Sequence, residues 1–476
     1  MTLTFHTSFK TTVLRVAGMG AASLGLLSLA SAGASAGAGA DTAAENAFAN
    51  AIGTPPSGYS GPVFELSHDY PSEDPGKCGP EDCPWLYIDV EFTTGEAVDW
   101  KQGAWNDYIM AIMKVVGRGQ NPNFPNETGF QTKVDGETAW YHVPWMAYDK
   151  TVGREFAHGT TNERTAHLSD FIGEPQPNAV KMSALGSSCA DRFPNGFESW
   201  AVGMYNKWGG YAVGQAFPKD GKPSLNKKFG KMVPDGMPFP TGTMVTKFLT
   251  TNATPDCVPY LKDSAVWRVN RHAIASDNKY QCARALQETR LTQVDVAVVD
   301  PRSPTRWVYG TFGYSADAPG KTVLERLVPL GLQWGSDPES FPAVAKDKSK
   351  PITESVLNTN VGIYEHWGCN NRLAGPVDNP QSSCVSCHAT AFAAPDGAIS
   401  KMGTNVPPSF GFPGICETVS EENTAYFSNY DFPEAYPIPS GKYDDAVPLD
   451  TSLQLAVAFT QYATFANNGE PNACSK

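Results

Sequence analysis

The spacing of apolar residues predicts one clear amphipathic helix in the first third of the chain. Apolar side chains recur there at intervals of three and four residues, which places them on one face of a helix. Gly117 and Gly119 follow this run and favour its end. The stripe consists of Trp105, Tyr108, Ile109, Ile112, Met113 and Val116. We therefore expect a helix over 105–116 whose apolar face lies in the core.

Alternation of apolar and polar residues predicts several strands. They cover residues 85–92, 243–250, 294–299 and 307–312. The last two runs are joined by a Pro-containing loop and are typical of an antiparallel pair. Residues 199–205 and 211–217 flank a Gly-rich stretch and predict a hairpin. Near the C-terminus, Asp450 is a plausible N-cap for a last helix.

The most specific signal in the chain is Cys384-Val385-Ser386-Cys387-His388, which has the spacing Cys-x-x-Cys-His. That spacing is typical of covalent c-type haem attachment. On one helical turn Cys384, Cys387 and His388 share a face, so both thiols can form thioethers with the porphyrin vinyl groups while the imidazole reaches the iron. A zinc half-site would need a second ligand pair, and a redox dithiol would need a following βαβ pattern. Neither is evident in the sequence, so we expect one haem c with His388 as the proximal ligand.

The second axial ligand of the iron decides between electron transfer and ligand binding, because a methionine thioether closes the site whereas an open position admits small molecules. Met402 is the one methionine after the motif and lies in a loop rich in Gly and Pro. It is our first candidate for this metal ligand. Its competitors are His142, His158, His366 and an open position. His142 and His158 belong to a polar segment, 140–167, that is the best second site in the sequence.

The first 40 residues have the features of a secretory signal peptide. Lys10 and Arg15 form a positive start, residues 16–30 are apolar or small, and small-x-small cleavage sites follow up to residue 40. No comparable apolar stretch occurs later, so we expect a periplasmic protein without a membrane span. Haem c is attached outside the cytoplasm, and export agrees with that.

The chain is acidic, with a formal net charge of −13. Loss of Lys10 and Arg15 with the leader makes it more negative by two. This balance disfavours nucleic acid and anionic membrane surfaces as partners. It suits a basic periplasmic redox partner, although acidity is also a common solubility trait.

Eight cysteines remain outside the motif, and an even number in an exported chain is compatible with four disulfides. They are Cys78, Cys83, Cys189, Cys257, Cys282, Cys369, Cys416 and Cys474. Eight cysteines allow 105 pairings. We expect Cys78 to pair with Cys83 and Cys257 with Cys282, because each pair brackets a short, turn-rich stretch.

These patterns together predict an α+β protein, with an antiparallel β-rich central region and a C-terminal haem c segment built mostly of loops and helix. The expected organisation is a signal peptide (1–40), an N-terminal α+β region (41–175), a β-rich domain (176–345) and a haem c-binding region (346–476).

Two resemblances accompany the motif. The segments 307–312 (Trp-Val-Tyr-Gly-Thr-Phe) and 373–380 (Leu-Ala-Gly-Pro-Val-Asp-Asn-Pro) resemble an uncharacterised group of large exported bacterial mono-haem cytochromes. The order of 239–243 (Phe-Pro-Thr-Gly-Thr), a Val-rich strand, an aromatic strand and a late Cys-x-x-Cys-His is similar to the β-sheet cytochromes. That family includes cytochrome c-prime-beta and the lysine-cross-linked, hydroxylamine-oxidising cytochrome. The resemblance implies a haem packed on an antiparallel sheet with an open distal face. Lys247 is comparable with the cross-linking lysine, and an exposed strand lysine is the other explanation.

Three functions follow from the sequence. The first is a periplasmic mono-haem c-type cytochrome that transfers electrons. The second is a haem enzyme or small-ligand binder that acts on a nitrogen oxide, hydroxylamine or peroxide at an open distal site. The third is a β-rich binding module that presents Trp200, Trp208 and Trp307 to a partner or carbohydrate.

Overall fold

A computed structural model gives the fold of the larger part of the chain. It describes residues 59–61, 68–145, 148–149, 153–154, 160–166, 168–172, 187–194, 196–218, 238–274, 280–347, 349–361, 368–393, 424, 426–429 and 447–468.

The fold is α+β and is built around one antiparallel sheet of eight strands. Its strands are β5 (Thr160–Ala166), β6 (Phe197–Tyr205), β7 (Met244–Thr251), β8 (Val266–Ile274), β9 (Tyr280–Val299), β10 (Trp307–Tyr314), β11 (Leu327–Gln333) and β12 (Ser355–Leu357). Their order is β12-β11-β10-β9-β7-β6-β5, and β8 pairs with the outer part of β9. The long strand β9 therefore holds three neighbours, which makes it the centre of the sheet.

Short helices and two-residue strand pairs surround the sheet. The α-helices are α1 (Trp105–Val116), α2 (Leu168–Ile172), α3 (Ser187–Arg192), α4 (Lys207–Ala216), α5 (Phe341–Lys346), α6 (Cys384–His388) and α7 (Leu453–Asn468). The small strand pairs are β1 (Lys133–Val134) with β2 (Glu137–Thr138), β3 (Tyr148–Asp149) with β4 (Gly153–Arg154), and β13 (Phe392–Ala393) with β14 (Val447–Pro448). Among the described residues, no helix is both long and apolar enough to cross a membrane.

The two faces of the sheet carry different side chains, because neighbours along a strand point to opposite sides. One face includes Val308 and Phe312 and packs against α1, and a side chain at Gly310 would meet Ile109 there. The other face includes Trp307, Tyr309 and Thr311. We call it the site face; α6 and α7 pack on it. A side chain at Gly203 of β6 would overlap Gln454 of α7, so the glycine allows that close approach.

The helix over 105–116 and the antiparallel pair of β9 with β10 are confirmed, and the predicted strand over 243–250 corresponds to β7. Two other predictions are wrong. Residues 85–92 form a 3₁₀ helix (Pro84–Tyr87) followed by loop. Residues 211–216 belong to α4 and Phe217 follows its end, so the expected hairpin with 199–205 does not exist.

Asn206 explains why the chain turns into a helix after β6. Its side-chain oxygen accepts hydrogen bonds from the amides of Gly209 (3.2 Å) and Met244 (3.0 Å), and its Nδ2 donates to the Gly242 carbonyl (2.8 Å). The first of these is an N-cap bond, which favours the helix start. The other two connect the cap to the start of β7, which the local sequence does not reveal.

Disulfide bonds are present, and one of the two expected pairings is wrong. Cys78 pairs with Cys83 as predicted. Cys257 pairs with Cys189 instead of Cys282. The physical reason is the length of the β8–β9 hairpin: position 282 lies towards its tip, whereas Cys257 precedes β8 at the opposite end and lies beside α3. Cys369 is also disulfide-bonded.

We expect Asn206→Ala to lower the free energy of unfolding by about 3 kcal/mol, because it removes a helix cap and leaves two further buried backbone groups without a partner. Urea unfolding followed by circular dichroism measures the change. Asn206→Asp keeps the accepting oxygens and is the matched control, with a smaller expected loss. A change below 1 kcal/mol for the alanine variant would contradict the role of this side chain.

Candidate functional site

The Cys-x-x-Cys-His motif forms the single-turn helix α6, and serine side chains begin it. Ser383 is the N-cap residue, and its amide donates to the Ser386 hydroxyl at 3.1 Å. The two hydroxyl oxygens are 2.7 Å apart. This reciprocal arrangement is a capping box, which satisfies amide groups at the start of a helix. Ser383 and Ser386 thus determine where the helical turn begins.

Gln333, at the end of β11, holds α6 on the site face. Its Oε1 accepts a hydrogen bond from the Val385 amide at 3.2 Å, and its Nε2 donates to the Ser383 hydroxyl at 3.0 Å. The Cys384 amide donates to the Leu373 carbonyl at 3.1 Å. Gln333 is opposite Tyr309 in the sheet register. The helix is therefore bound to the sheet through both its backbone and its cap.

His388 is positioned by the residue pair Tyr309 and Thr451. Its Nδ1 lies 2.9 Å from the Thr451 carbonyl oxygen. Since a carbonyl can only accept, Nδ1 carries the proton, and Nε2 is the nitrogen suited to bind a metal. The Tyr309 ring lies 4.8 Å from the imidazole, and its hydroxyl donates to the Thr451 Oγ1 at 2.6 Å. Ring orientation and tautomer are thus both determined by the protein.

Thr451 is in turn held by Asp450, whose carboxylate is buried on the site face. Oδ1 accepts from the Trp307 indole at 2.9 Å, and Oδ2 accepts from the Phe239 amide at 2.7 Å and from Arg306 Nη1 at 3.1 Å. Burial raises the pKa of Asp450, and the Arg306 charge opposes that rise. The backbone of Asp450 and Thr451 is left-handed, with φ of 46° and 64°. This strained pair turns the Thr451 carbonyl towards His388.

The sequence predicted Asp450 as the N-cap of the last helix, and this prediction is wrong. The Ser452 hydroxyl accepts from the Leu455 amide at 3.2 Å and lies 2.6 Å from the Tyr205 hydroxyl. Ser452 therefore begins α7. Asp450 instead connects the start of α7 to the sheet through its bond from Trp307.

The two cysteines of the motif differ from the other described cysteines in their oxidation state. Cys384 and Cys387 are thiols and are half-buried on one turn. The other cysteines whose side chains the structure describes form disulfides. Burial, with the nearby Asp378 and Asp295, raises the pKa of the Cys384 thiol. It is therefore held in the protonated form at neutral pH, and this form is a poor nucleophile.

A polar cluster lies beside Cys384 on the site face. We call it the carboxylate cluster; it comprises Lys247, Gln293, Asp295, Thr311 and Asp378. Gln293 Nε2 donates to Asp295 Oδ1 at 2.7 Å and to Asp378 Oδ2 at 2.8 Å. Thr311 donates to Asp295 at 2.9 Å, and it opposes the rise in the pKa of the nearby Cys384 thiol. Lys247 is half-buried and lies opposite Asp295 in the register of β7 and β9.

A glycine brings Asp378 to this cluster. A side chain at Gly375 would overlap Gln293, so only glycine permits the segment 373–378 to lie so close. The Gly375 amide donates to Asp378 Oδ2 at 2.6 Å, and the Val377 amide donates to Gln293 Oε1 at 3.2 Å. The segment before the motif therefore folds onto β9 and delivers a carboxylate next to Cys384.

The remaining predicted residues are distributed as follows. Met402, His158 and His366 lie outside the described residues. His142 is fully buried, next to the bridge between Tyr141 and Tyr205. Trp200, Trp208 and Trp307 are all buried, so they do not form the exposed aromatic surface that a carbohydrate-binding module would need.

The sequence did not single out Gln333, Thr451, Asp378 or Asp295 as site residues. The strand alternation already placed Asp295 among apolar neighbours, and a charged residue in a central strand is a recognisable signal. Thr451 gave none, because its role is that of a backbone carbonyl 63 residues after His388.

No protein-family model, no curated protein and no solved structure matches the chain. The resemblance to the β-sheet cytochromes therefore stays a prediction. The chemistry of α6 and its surroundings is therefore what indicates a function.

Replacement of Asp450 tests the support of His388. We expect Asp450→Ala to lower the free energy of unfolding by about 3–5 kcal/mol, because it leaves buried donors and the Arg306 charge without their acceptor. In protein purified without haem, we also expect the imidazole proton of His388 to exchange between both ring nitrogens, as seen by ¹⁵N NMR. Glu96→Gln, at an exposed acid, is the control and should change stability by no more than about 0.5 kcal/mol. An alanine variant with wild-type stability and an unchanged tautomer would rule out this role.

Proposed function

We propose that this protein is an exported mono-haem c-type cytochrome that transfers electrons in the periplasm. Haem c would be held by thioether bonds from Cys384 and Cys387, with His388 as an axial ligand of its iron. The observation that carries the proposal is the turn α6, in which two half-buried thiols and a histidine of defined tautomer lie together. The bound haem would supply a one-electron couple between ferric and ferrous iron.

The surroundings of α6 fit a haem ligand better than a zinc site or a redox dithiol. Nδ1 of His388 donates a hydrogen bond to a backbone carbonyl, which is a usual partner for the second nitrogen of a metal-binding imidazole. The helix is bound to the sheet by Gln333, so the ligand direction is rigid. Within the described residues, the one group that offers three clustered metal ligands is Cys189, Asp256 and Cys257, and there the two sulfurs are already a disulfide. A second ligand pair for zinc at α6 is therefore not found in the described part of the chain.

The contacts on the site face also support a defined redox potential. Apolar residues including Val385, Ala391 and Leu455 pack with Tyr309 around α6. A low-dielectric setting reduces the reorganisation that accompanies electron transfer, and hydrogen bonding to the axial histidine tunes the potential. The disulfides agree with an exported protein, and the net charge of −13 suits a basic redox partner.

A second candidate function is a haem enzyme or small-ligand binder with an open distal site. The carboxylate cluster favours it, because a simple electron carrier has no need for two carboxyl groups and a lysine at its cofactor. Acting on a nitrogen oxide, hydroxylamine or peroxide requires proton transfer, and Asp295 is an ionisable group placed to take part. Met402 as the second iron ligand would favour electron transfer, whereas an open position would favour the enzyme or ligand binder.

Covalent attachment is tested by the pair of substitutions Cys384→Ser and Cys387→Ser. We expect the double variant, made in a strain that matures c-type cytochromes, to lose all haem stain on a denaturing gel. Each single variant should retain one thioether and weaker stain. Cys78→Ser with Cys83→Ser removes a disulfide elsewhere and is the control that should keep the stain. Haem stain in the first double variant, or none in the wild type, would overturn the proposal.

Absorption spectra of the ferrous protein with and without carbon monoxide separate the two functions. If Met402 is the second ligand, the wild type should not bind carbon monoxide, and Met402→Ala should bind it readily. Met232→Ala, which precedes the motif, is the matched control and should behave as the wild type. Ready binding by the wild type would exclude methionine ligation and support the open site.

A further inference from the structure

We propose that the pair Asp295 and Asp378 takes up one proton when the cofactor site gains an electron, so that this protein couples electron transfer to proton transfer. The inference rests on the proposed function, since it needs a redox centre at Cys384, Cys387 and His388. It assigns a role to the carboxylate cluster, which haem attachment itself does not use.

The first observation is that two carboxylates share one donor. Gln293 Nε2 has two hydrogens and donates one to Asp295 at 2.7 Å and the other to Asp378 at 2.8 Å. The two acids therefore flank a single amide group. Two negative charges held on one amide group repel each other, which favours the protonated form of one of them. Gln293 is fully buried, so its amide keeps both acids in place.

The second observation is the position of the pair next to the cofactor attachment point. Asp295 accepts from Thr311, which lies two residues along β10 from Tyr309, and the Tyr309 ring lies 4.8 Å from the His388 imidazole. The charges of Asp378 and Asp295 also raise the pKa of the Cys384 thiol, so the pair lies near the sulfur that would carry the haem. A change of one charge on a haem bound at α6 would be felt by Asp295, because the protein interior screens charge poorly. Asp295 and Asp378 are both half-buried, so protons from solvent can reach them.

The charged and polar groups that face Asp295 determine whether its pKa is raised or lowered. Burial raises the pKa of Asp295 most, the Asp378 charge raises it further, and Lys247 lowers it. The hydrogen bonds from Gln293 and Thr311 also lower it. These groups come from β7, β9, β10 and the segment before α6. The balance keeps Asp295 protonated well above the pH at which an ordinary aspartate ionises.

On reduction by a one-electron donor protein, a haem bound at α6 would lose one unit of positive charge. Asp295 in its ionised form is then less stabilised, so it binds one proton from solvent. On reoxidation by an acceptor protein the electron leaves and the proton returns to solvent. No bond other than the carboxyl O–H is formed or broken.

The test is a redox titration of the purified holoprotein between pH 5 and pH 9. Linkage requires that the oxidised-to-reduced ratio at a fixed applied potential changes by up to tenfold per pH unit, in the pH range between the proton affinity of Asp295 in the oxidised protein and its higher affinity in the reduced protein. We expect this dependence in the wild type and its loss in Asp295→Asn. Infrared difference spectra should show a protonated carboxyl band that appears on reduction, shifts in heavy water and is missing in the variant.

Two neighbouring substitutions must move the pH range in opposite directions. Asp378→Asn removes a negative charge and should shift it to lower pH, whereas Lys247→Met removes a positive charge and should shift it to higher pH. Glu198→Gln is the matched control: Glu198 is a partly buried carboxyl whose pKa is also raised by burial, but it lies at the far end of β6. This variant should keep the wild-type pH dependence.

The outcomes separate this inference from the proposed function. A wild-type protein without haem would defeat the proposed function. A haem protein whose redox equilibrium is independent of pH would overturn the inference alone. So would a pH dependence that persists in Asp295→Asn, because it would assign the proton to the haem propionates. Should Asp295→Asn not fold, the opposite shifts of Asp378→Asn and Lys247→Met still decide the question.

Discussion

The site depends on one buried carboxylate. Asp450 accepts hydrogen bonds from the Trp307 indole, the Phe239 amide and the Arg306 guanidinium, and these donors come from two separate parts of the chain. The residue after it offers its carbonyl to His388, and the next one begins α7. Removing a buried acceptor costs more than an average hydrogen bond contributes, because its donors stay desolvated. The histidine, the last helix and the sheet are thus connected through three consecutive residues.

The two faces of the sheet show how function and stability are divided. The face under α1 is apolar, and Gly310 lets the helix approach it closely. The site face combines aromatic residues with Gln293, Asp295 and Gln333. Gln333 hydrogen-bonds to α6 and its N-cap, and Gln293 to the segment before α6. Asp295 accepts from Gln293 and from Thr311. Polar groups in such a position cost desolvation energy, and an apolar surface would stabilise the fold at least as well. Their presence on the central strands is therefore best explained by the chemistry of the site.

The sequence predicted the elements whose formation depends only on residues near them in the chain. The stripe over 105–116 and the alternation in β9 and β10 follow from burial of one face, and both are confirmed. The hairpin over 199–217 was wrong because Asn206 caps a helix, and its further bonds to Gly242 and Met244 are invisible without the tertiary fold. Cys257 was paired with its nearest neighbour in sequence, whereas the length of the β8–β9 hairpin separates them. Of the site, the sequence predicts the three residues of the motif. It could not predict Thr451, since any residue has a carbonyl, nor the meeting of Asp378 with Asp295, which depends on Gly375.

The order of these elements along the chain bears on how the proposed cytochrome would assemble. All eight strands of the sheet precede α6, whereas the Thr451 carbonyl that orients His388 follows it by 63 residues. Gln333 and Leu373 hold the backbone of α6 without any help from the C-terminal segment. The thiols can therefore be presented on a formed sheet before Asp450 docks. The imidazole is oriented only when that last segment is in place, so the carboxylate of Asp450 would complete the proposed haem site after the two thiols are already positioned.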